Sequence, residues 1–335
     1  MESAISLIKQ NHLGLSLASL SIRELLFVKA APGNIYALEN GNYKIVLKKK
    51  AVINKTVLKE LLANSQYYLF MDSLTREQLK KTHQDNLRMA TRSLSVGDLT
   101  ENALYAANLL TINMGYLYER PIDDELLKLQ HQCAQNLANF LLEIPELHHD
   151  IYQQYIKQKH HFVFAQPFLS SLFVLGALKQ SHFFTDKDVE ALFVTSYFKD
   201  IGMSSIPTDK YDQEELDEQE KKLLAQHAKH SVSILKNRLA LTPAHLTIIE
   251  NHHFFSLMTQ GLDLDSVSKD VVFGAETMII SVMDIISAMI TGRPFRNANT
   301  LFEALELVKI IMSDQYPQEF KLVVSYFRNF FFNKR

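Results

Sequence analysis

The chain has 335 residues, with 35 basic and 37 acidic side chains and a formal net charge of -2 at pH 7. This balance excludes the global field by which basic proteins attract nucleic acid or an anionic membrane, so any anion site must be local. The length favours two domains over one, because single cores seldom grow beyond about 250–300 residues. Only 10 glycines and 8 prolines, among many helix-forming residues, favour a mainly α protein.

Cysteine content and hydropathy bear on where the protein resides. A single cysteine, Cys133, excludes an intrachain disulfide and a cysteine-rich zinc site. The first residues lack the basic start and apolar core of a signal peptide, so we expect a cytoplasmic protein. The most apolar segment, 162–178, is interrupted by Gln166, Pro167 and two serines, whereas a membrane span needs roughly 20 predominantly apolar residues. We therefore expect a buried core helix here and no membrane span.

Residues 1–73 are predicted to form a small α/β module. The β-prone runs 34–38 and 43–47 flank an Asn-Gly pair, Asn40-Gly41, which is the strongest short signal for a hairpin. Asn54 can cap a helix that runs to about residue 63, and residues 67–71 then predict another strand.

A helical connector is predicted over residues 74–145. Leu, Ala, Tyr and Ile recur there at three- and four-residue spacing, with no glycine or proline cluster between the segments. Residues 146–335 are predicted to be helical almost throughout. Within them, the polar stretch 208–222 indicates either an exposed excursion or a solvated helix.

Four motifs within residues 146–335 carry the functional prediction. The first is KDIGMSSIP at 199–207, and the second is HAKHSVSIL at 227–235. The third is NHH at 251–253, and the fourth is IISVMDIISAMITGRPFR at 279–296. In their order and approximate spacing these motifs resemble those of HD-GYP domains, bacterial enzymes that hydrolyse cyclic di-GMP at a metal centre. The resemblance implies a C-terminal HD-type all-helical bundle.

The resemblance also implies which residues bind metal and which positions depart from the pattern. The metal ligands that it implies are Asp200, His227, His252, His253 and Asp284. Lys199 stands where a ligand histidine is expected, and a second expected histidine falls near Gln166. His160 and His161 lie slightly too early to replace it, unless the helix starts differently. Met203 replaces an expected catalytic lysine.

Clustered imidazoles and carboxylates suit divalent ions, which lower the pKa of bound water and neutralise a phosphate under attack. The residues that remain suit one ion of iron, manganese or zinc, with no bound metal as the alternative. Lys199 opposes a second ion, because a unit charge and a divalent charge about 4 Å apart repel by roughly 8 kcal/mol at an effective dielectric near 20. Its ammonium is expected to pair with Asp200 and Asp284 instead. Taken singly, each aspartate or histidine also has a structural reading, as a buried ion pair or a packed ring.

The end of the fourth motif and the segment after His253 bear on substrate recognition. Arg293 and Arg296 match a basic pair that the resemblance implies binds phosphate, for which guanidinium is well suited. A solvated turn is the alternative. After His253 the expected glycine-rich loop ending in GYP is replaced by FFSLMTQGL at 254–262, whose apolar residues are expected to fill the cleft, form a partner surface or pack in the core. Ser287 stands where a second aspartate is often found.

Three functions remain open from the sequence. The favoured one is a degenerate signalling protein that acts by binding a nucleotide or a protein partner, with phosphodiesterase activity lost or strongly reduced. The rival is an active cyclic di-GMP phosphodiesterase that uses a single-ion site. The third is a cyclic di-GMP receptor without turnover, dependent on Arg293 and Arg296. A homodimer is compatible with each of them.

Overall fold

A computed structural model describes residues 16–63, 68–206, 210–211, 217–254, 274–293 and 296–332. Within these ranges the protein is mainly α with one small antiparallel sheet, which confirms the predicted fold class. Packing divides the chain into two compact units, Met1–Asn86 and Leu87–Arg335. The three-part division at residues 73 and 145 stays a prediction.

The first unit contains a four-stranded sheet. Its strands are β1 (Leu17–Ser21), β2 (Ile35–Glu39), β3 (Asn42–Leu47) and β4 (Tyr68–Asp72), in the spatial order β1-β4-β2-β3. The predicted hairpin is confirmed: β2 pairs with β3, and Asn40 and Gly41 have φ of 48° and 77°, as a type I′ turn requires. Strand β1, which the sequence pattern does not predict, pairs with β4.

Helix α1 (Lys55–Ala63) lies where the sequence predicts a helix. The Asn54 side chain accepts a hydrogen bond from the Val57 backbone N–H at 3.0 Å, which confirms the predicted cap. Leu58 and Leu61 of the helix are buried in one cluster with Ile35 of the sheet. The module therefore has an apolar core of its own.

Helices make up nearly all the described secondary structure after β4. They are α2 (Ser73–Ala90), α3 (Leu99–Glu119), α4 (Asp124–Glu143), α5 (His148–Ile156), α6 (Phe162–Ser181), α7 (Asp186–Phe198), α8 (Glu218–Leu235), α9 (Pro243–Asn251), α10 (Ala275–Met289), α11 (Leu301–Met312) and α12 (Pro317–Phe332). Helices α3 and α4, from the predicted connector, pack against α6 and α7. Part of the predicted polar stretch is helical, since α8 begins at Glu218; residues 207–209 and 212–216 lie outside the described ranges.

Helix α6 is the buried core helix of the second unit. By length and composition it is able to cross a membrane, but 78% of its apolar window is buried inside the protein. It packs against α3, α4, α5, α7, α10 and α12. The serines that interrupt its apolar run donate hydrogen bonds within the helix, Ser170 to the Gln166 carbonyl at 3.0 Å and Ser171 to the Pro167 carbonyl at 2.7 Å. Their hydroxyls are thus satisfied in an apolar core, and the predicted core helix is confirmed.

Candidate metal centre

Close backbone packing brings the first motif against the second. Asp200 lies one residue beyond Lys199, which caps the end of α7, and it leads into a 3₁₀ turn, Ile201–Ser205, that packs on α8. The Gly202 N–H donates to the Ser231 hydroxyl at 2.8 Å. A Cβ atom at Gly202 would lie 2.0 Å from the His227 carbonyl oxygen and 2.5 Å from the Ser231 nitrogen. Only glycine permits this approach, which places Asp200 beside His227.

Four of the five predicted ligands converge. Asp200 Oδ1 lies 3.0 Å from His252 Nε2 and 3.3 Å from His227 Nε2. His253 Nε2 lies 3.0 Å from His227 Nε2. One ligand atom from each of these four residues lies within 4.8 Å of those of the other three, so the group could hold a metal ion. We call it the Asp-His group.

Hydrogen bonds to the backbone orient two of the imidazoles. His252 Nδ1 bonds the Ile249 carbonyl at 2.6 Å, and His227 Nδ1 bonds the Leu224 carbonyl. A carbonyl only accepts, so Nδ1 carries the proton, and in the neutral ring the Nε2 lone pair faces the Asp200 carboxylate. Two facing lone pairs repel, whereas a cation between them attracts both. This is the arrangement usual for metal-binding histidines, and the residues therefore fit a divalent ion.

The third imidazole is held neutral. Burial lowers the pKa of His253 well below its usual value, and the neighbouring His252 and His227 lower it further. Its ring centre lies 3.9 Å from that of His252 and 4.7 Å from that of His227. A neutral imidazole is the form that binds metal.

Lys199 bridges two carboxylates on the other side of Asp200. Its Nζ contacts Asp200 Oδ2 and lies 2.7 Å from Asp284 Oδ1, and the side chain is fully buried. Burial alone would lower the pKa of Lys199, but the two carboxylates outweigh it and raise the pKa above its ordinary value. Burial would raise the pKa of Asp200, but the Lys199 ammonium above all, with contributions from the neighbouring His227 and His252, holds it well below its ordinary value. Lys199 and Asp200 therefore form a buried ion pair.

Asp284 lies outside the Asp-His group and is surrounded by residues that depart from the HD-GYP pattern. Gln166 Nε2 donates to Asp284 Oδ1 at 2.9 Å, to its backbone oxygen at 3.0 Å and to the Ser287 hydroxyl at 2.6 Å. Ser287 in turn donates to the Asp284 backbone oxygen at 3.1 Å. Gln166, Ser287 and Lys199 thus all contact Asp284, although they are far apart in the sequence.

Three other residues that the sequence singles out have backbone or side-chain partners of their own, namely His160, His161 and Met203. His160 Nε2 lies 2.6 Å from Asn108 Oδ1, and His161 caps α6 by accepting from the Val163 N–H at 3.4 Å. Among the described residues, neither belongs to the Asp-His group. The Met203 N–H donates to the Asp200 carbonyl at 2.9 Å.

The two predicted phosphate-binding arginines close one turn, through hydrogen bonds of 2.8 and 3.1 Å between their backbones. The Arg293 guanidinium lies 4.8 Å from the centre of the Phe162 ring. Burial lowers the pKa of Arg293, and Arg296 adds to this, whereas Asp284 and Asp200 raise it. Arg293 thus lies within electrostatic reach of both carboxylates, and its phosphate-binding role stays a prediction.

Arg296 has a structural contact, because its Nη2 donates to the Ala288 carbonyl near the end of α10 at 2.7 Å.

Most of the segment that replaces the expected GYP loop lies outside the described residues, including Phe255, Leu257 and Met258. Phe254, which is described, is half-buried.

Tyr118 is a site residue that the sequence does not predict. Its hydroxyl donates to the Asp200 carbonyl at 2.8 Å, and its ring packs edge-on against Phe164 at 5.3 Å. Burial raises its pKa well above the ordinary value, with a smaller contribution from the Asp200 charge. Tyr118 comes from α3, within the predicted connector, where none of the four motifs lies.

No family model matches the chain, and no curated protein matches its sequence. In three dimensions the chain is similar to a solved structure, that of Bd1817, a HDG"Y"P protein from Bdellovibrio bacteriovorus. The match covers 93% of this chain and 99% of that one, with a TM-score of 0.63 and 13% sequence identity. This likeness shows an HD-GYP-like fold, as the motifs predict. It extends beyond residues 146–335, the region in which the motifs lie.

Proposed function

We propose that this is a cytoplasmic HD-GYP-like signalling protein with a single-ion centre, in which the Lys199 ammonium replaces a second metal ion. The observation that carries the proposal is the position of Lys199 Nζ, bound between Asp200 and Asp284 in a fully buried place. A divalent ion at that position would be repelled by the ammonium. Phosphodiesterase activity is lost or strongly reduced on this proposal, and the protein acts by binding cyclic di-GMP or a protein partner.

The Asp-His group supplies the residues for the one remaining ion. His227, His252, His253 and Asp200 Oδ1 would hold iron, manganese or zinc, all of which accept imidazole and carboxylate ligands. When bound, such an ion supplies positive charge for a phosphate and lowers the pKa of bound water. Lys199 fixes the other oxygen of Asp200 and so keeps Oδ1 facing the imidazoles. Arg293, within electrostatic reach of the same carboxylates, would contact the phosphate.

Elemental analysis of the full chain, purified without chelator or a metal-affinity tag, tests the single-ion centre. We expect about one equivalent of iron, manganese or zinc per chain, given this donor set. His252→Ala should lose the metal. His230→Gln is the matched control, because His230 lies three residues after His227 on α8 and its Nδ1 contacts the Ser205 hydroxyl at 3.3 Å. Metal-free wild type, or two equivalents, would contradict the proposal.

An active single-ion phosphodiesterase is the second candidate, and the convergence of four ligand atoms within 4.8 Å favours it. The same preparation decides between the two when it is incubated with cyclic di-GMP and the products are separated by chromatography. Turnover that follows metal content and disappears in His252→Ala would establish the enzyme. Binding of cyclic di-GMP without turnover would favour the signalling protein.

A further inference from the structure

Two tyrosine hydroxyls hold the 3₁₀ turn that follows Asp200. The Tyr118 hydroxyl, near the end of α3, donates to the Asp200 carbonyl at 2.8 Å. The Tyr211 hydroxyl donates to the Met203 carbonyl. The same two carbonyls accept the hydrogen bonds that close the turn, from the backbone N–H groups of Met203 and Ile206, at 2.9 Å each. We call Tyr118 and Tyr211 the tyrosine clamp.

Burial and ring packing fix the positions of both hydroxyls. Both tyrosines are buried, so little water competes for the carbonyls that they bond. The Tyr118 ring packs edge-on against Phe164, with ring centres 5.3 Å apart, and the Tyr211 ring lies 6.1 Å from that of His161. His161 caps α6 and Phe164 lies in its first turn. The clamp therefore ties the 3₁₀ turn to α3 and to the start of α6.

Asp200 depends on such contacts because no helix fixes its backbone. Its φ of -100° and ψ of 8° lie outside the helical region. Both of its carboxylate oxygens nevertheless have partners, since Oδ1 lies 3.0 Å from His252 Nε2 and Oδ2 contacts Lys199. Metal–ligand distances are kept within about 0.2 Å, so a small rotation of this backbone would move Oδ1 out of a ligand position. A bond that fixes the Asp200 carbonyl also fixes the Cα atom from which the side chain branches.

We infer that Tyr118 is a positioning residue of the metal centre, which holds Asp200 Oδ1 towards the imidazoles through the backbone carbonyl. Tyr211 supports the same turn at Met203, three residues further on, where its effect on Asp200 is smaller. The inference rests on the proposed function for the ion itself, and it adds two residues that lie outside the four motifs. Residues that orient a ligand without touching the metal typically change metal affinity by about 10- to 100-fold when they are removed.

A cobalt(II) titration of the full chain, first stripped with chelator and then followed by visible absorption, measures this effect. Tyr118→Phe keeps the ring against Phe164 and removes only the hydroxyl. The variant should fold and bind cobalt about 10- to 100-fold more weakly than wild type. The absorption spectrum of the cobalt that does bind should change as well, because Asp200 is displaced. Tyr211→Phe should weaken cobalt binding less.

Tyr155→Phe is the matched control for the loss of a buried hydroxyl. Tyr155 is also buried, but its hydroxyl contacts Thr111 at 2.5 Å instead of the first motif. Both variants lose one buried hydrogen bond, so both should unfold at a lower urea concentration than wild type. Only Tyr118→Phe should lose cobalt affinity. Wild-type affinity in Tyr118→Phe, or an equal loss of affinity in Tyr155→Phe, would overturn the inference.

A double-mutant cycle in metal-free protein separates this inference from the single-ion proposal. With chelator present, Tyr118→Phe should lower the urea midpoint less in an Asp200→Asn background than in wild type, because the hydroxyl then no longer holds an ion-paired carboxylate. Tyr155→Phe should lower it equally in both backgrounds. Equal effects of Tyr118→Phe would overturn the positioning role, whereas a wild-type chain that binds no cobalt would refute the single-ion proposal and leave the cycle to decide on the clamp.

Discussion

Replacing Lys199 by methionine tests whether the buried ammonium is the cation that holds the centre together. The variant keeps the length of the side chain but leaves Asp200 and Asp284 without their shared cation in a buried place. Removing one partner of a buried ion pair costs about 3–5 kcal/mol, because it leaves an uncompensated charge. For a unit of this size, such a loss lowers the Tm by about 6–20 °C.

The two pKa shifts fix how this loss depends on pH. The pKa of Asp200 is depressed, so its contribution is present above the unfolded value near 4 and is lost as pH falls through the lower folded pKa. The pKa of Lys199 is raised, so its contribution is present below the unfolded value near 10.4 and is lost as pH rises through the higher folded pKa. Both contributions are therefore present in wild type from about pH 5 to pH 9. The loss in Lys199→Met should be full near pH 8 and should shrink as pH falls, because burial without the ammonium raises the pKa of Asp200 in the variant.

Urea unfolding of the full chain, with chelator present, measures the loss. Lys187→Met is the matched control, because Lys187 is exposed on the same helix, α7, and a surface change of this kind stays within about 0.5 kcal/mol. Adding Asp284→Asn to Lys199→Met should restore part of the stability, since it removes one uncompensated charge. A Lys199→Met variant within about 1 kcal/mol of wild type would refute the structural role of the ammonium.

Two further changes test the packing around the centre and the buried histidines. Gly202→Ala should destabilise the protein by about 1–3 kcal/mol and lower its metal content, because the new Cβ would lie 2.0 Å from the backbone of α8. Gly115→Ala is the control, because its Cβ would meet only the Phe164 ring, at 3.8 Å. It should be neutral or stabilising in urea unfolding. Burial lowers the pKa of His148 to about 4, so between pH 7 and pH 5 the imidazole binds a proton in the unfolded chain but not in the folded protein. The free energy of unfolding should therefore fall by about 2 kcal/mol over this range. His148→Gln should reduce this pH dependence by that amount, and an unchanged slope would argue against a neutral buried imidazole.

Local signals predicted most of the fold. The Asn40-Gly41 turn and the Asn54 cap depend on residues close in sequence, and both are confirmed. Strand β1 was not predicted because its pattern, LASLS, carries no turn signal and its partner β4 lies far along the chain, with Leu17 opposite Asp72. Non-local pairing leaves little trace in a single sequence.

The candidate site was predictable to a similar extent. The motifs singled out Asp200, His227, His252 and His253, and the structure brings these residues together. Their role as ligands stays a prediction. No spacing rule predicted that Gln166 would contact a residue 118 positions away, because such contacts follow from how α6 packs on α10.

The residues that depart from the HD-GYP pattern lie together around Asp284, so a single substitution does not restore the pattern's metal ligands. Lys199 supplies charge to Asp284, while Gln166 and Ser287 supply hydrogen bonds to the same residue. The Asp284 side chain therefore has a cation and a hydrogen-bond donor in the interior without a metal ion. A histidine at position 199 alone would remove the cation and leave the Gln166 amide on Asp284 Oδ1. Lys199 and Gln166 both contact Asp284 Oδ1. If a second ion has been lost, as we propose, its restoration therefore requires Gln166→His together with Lys199→His.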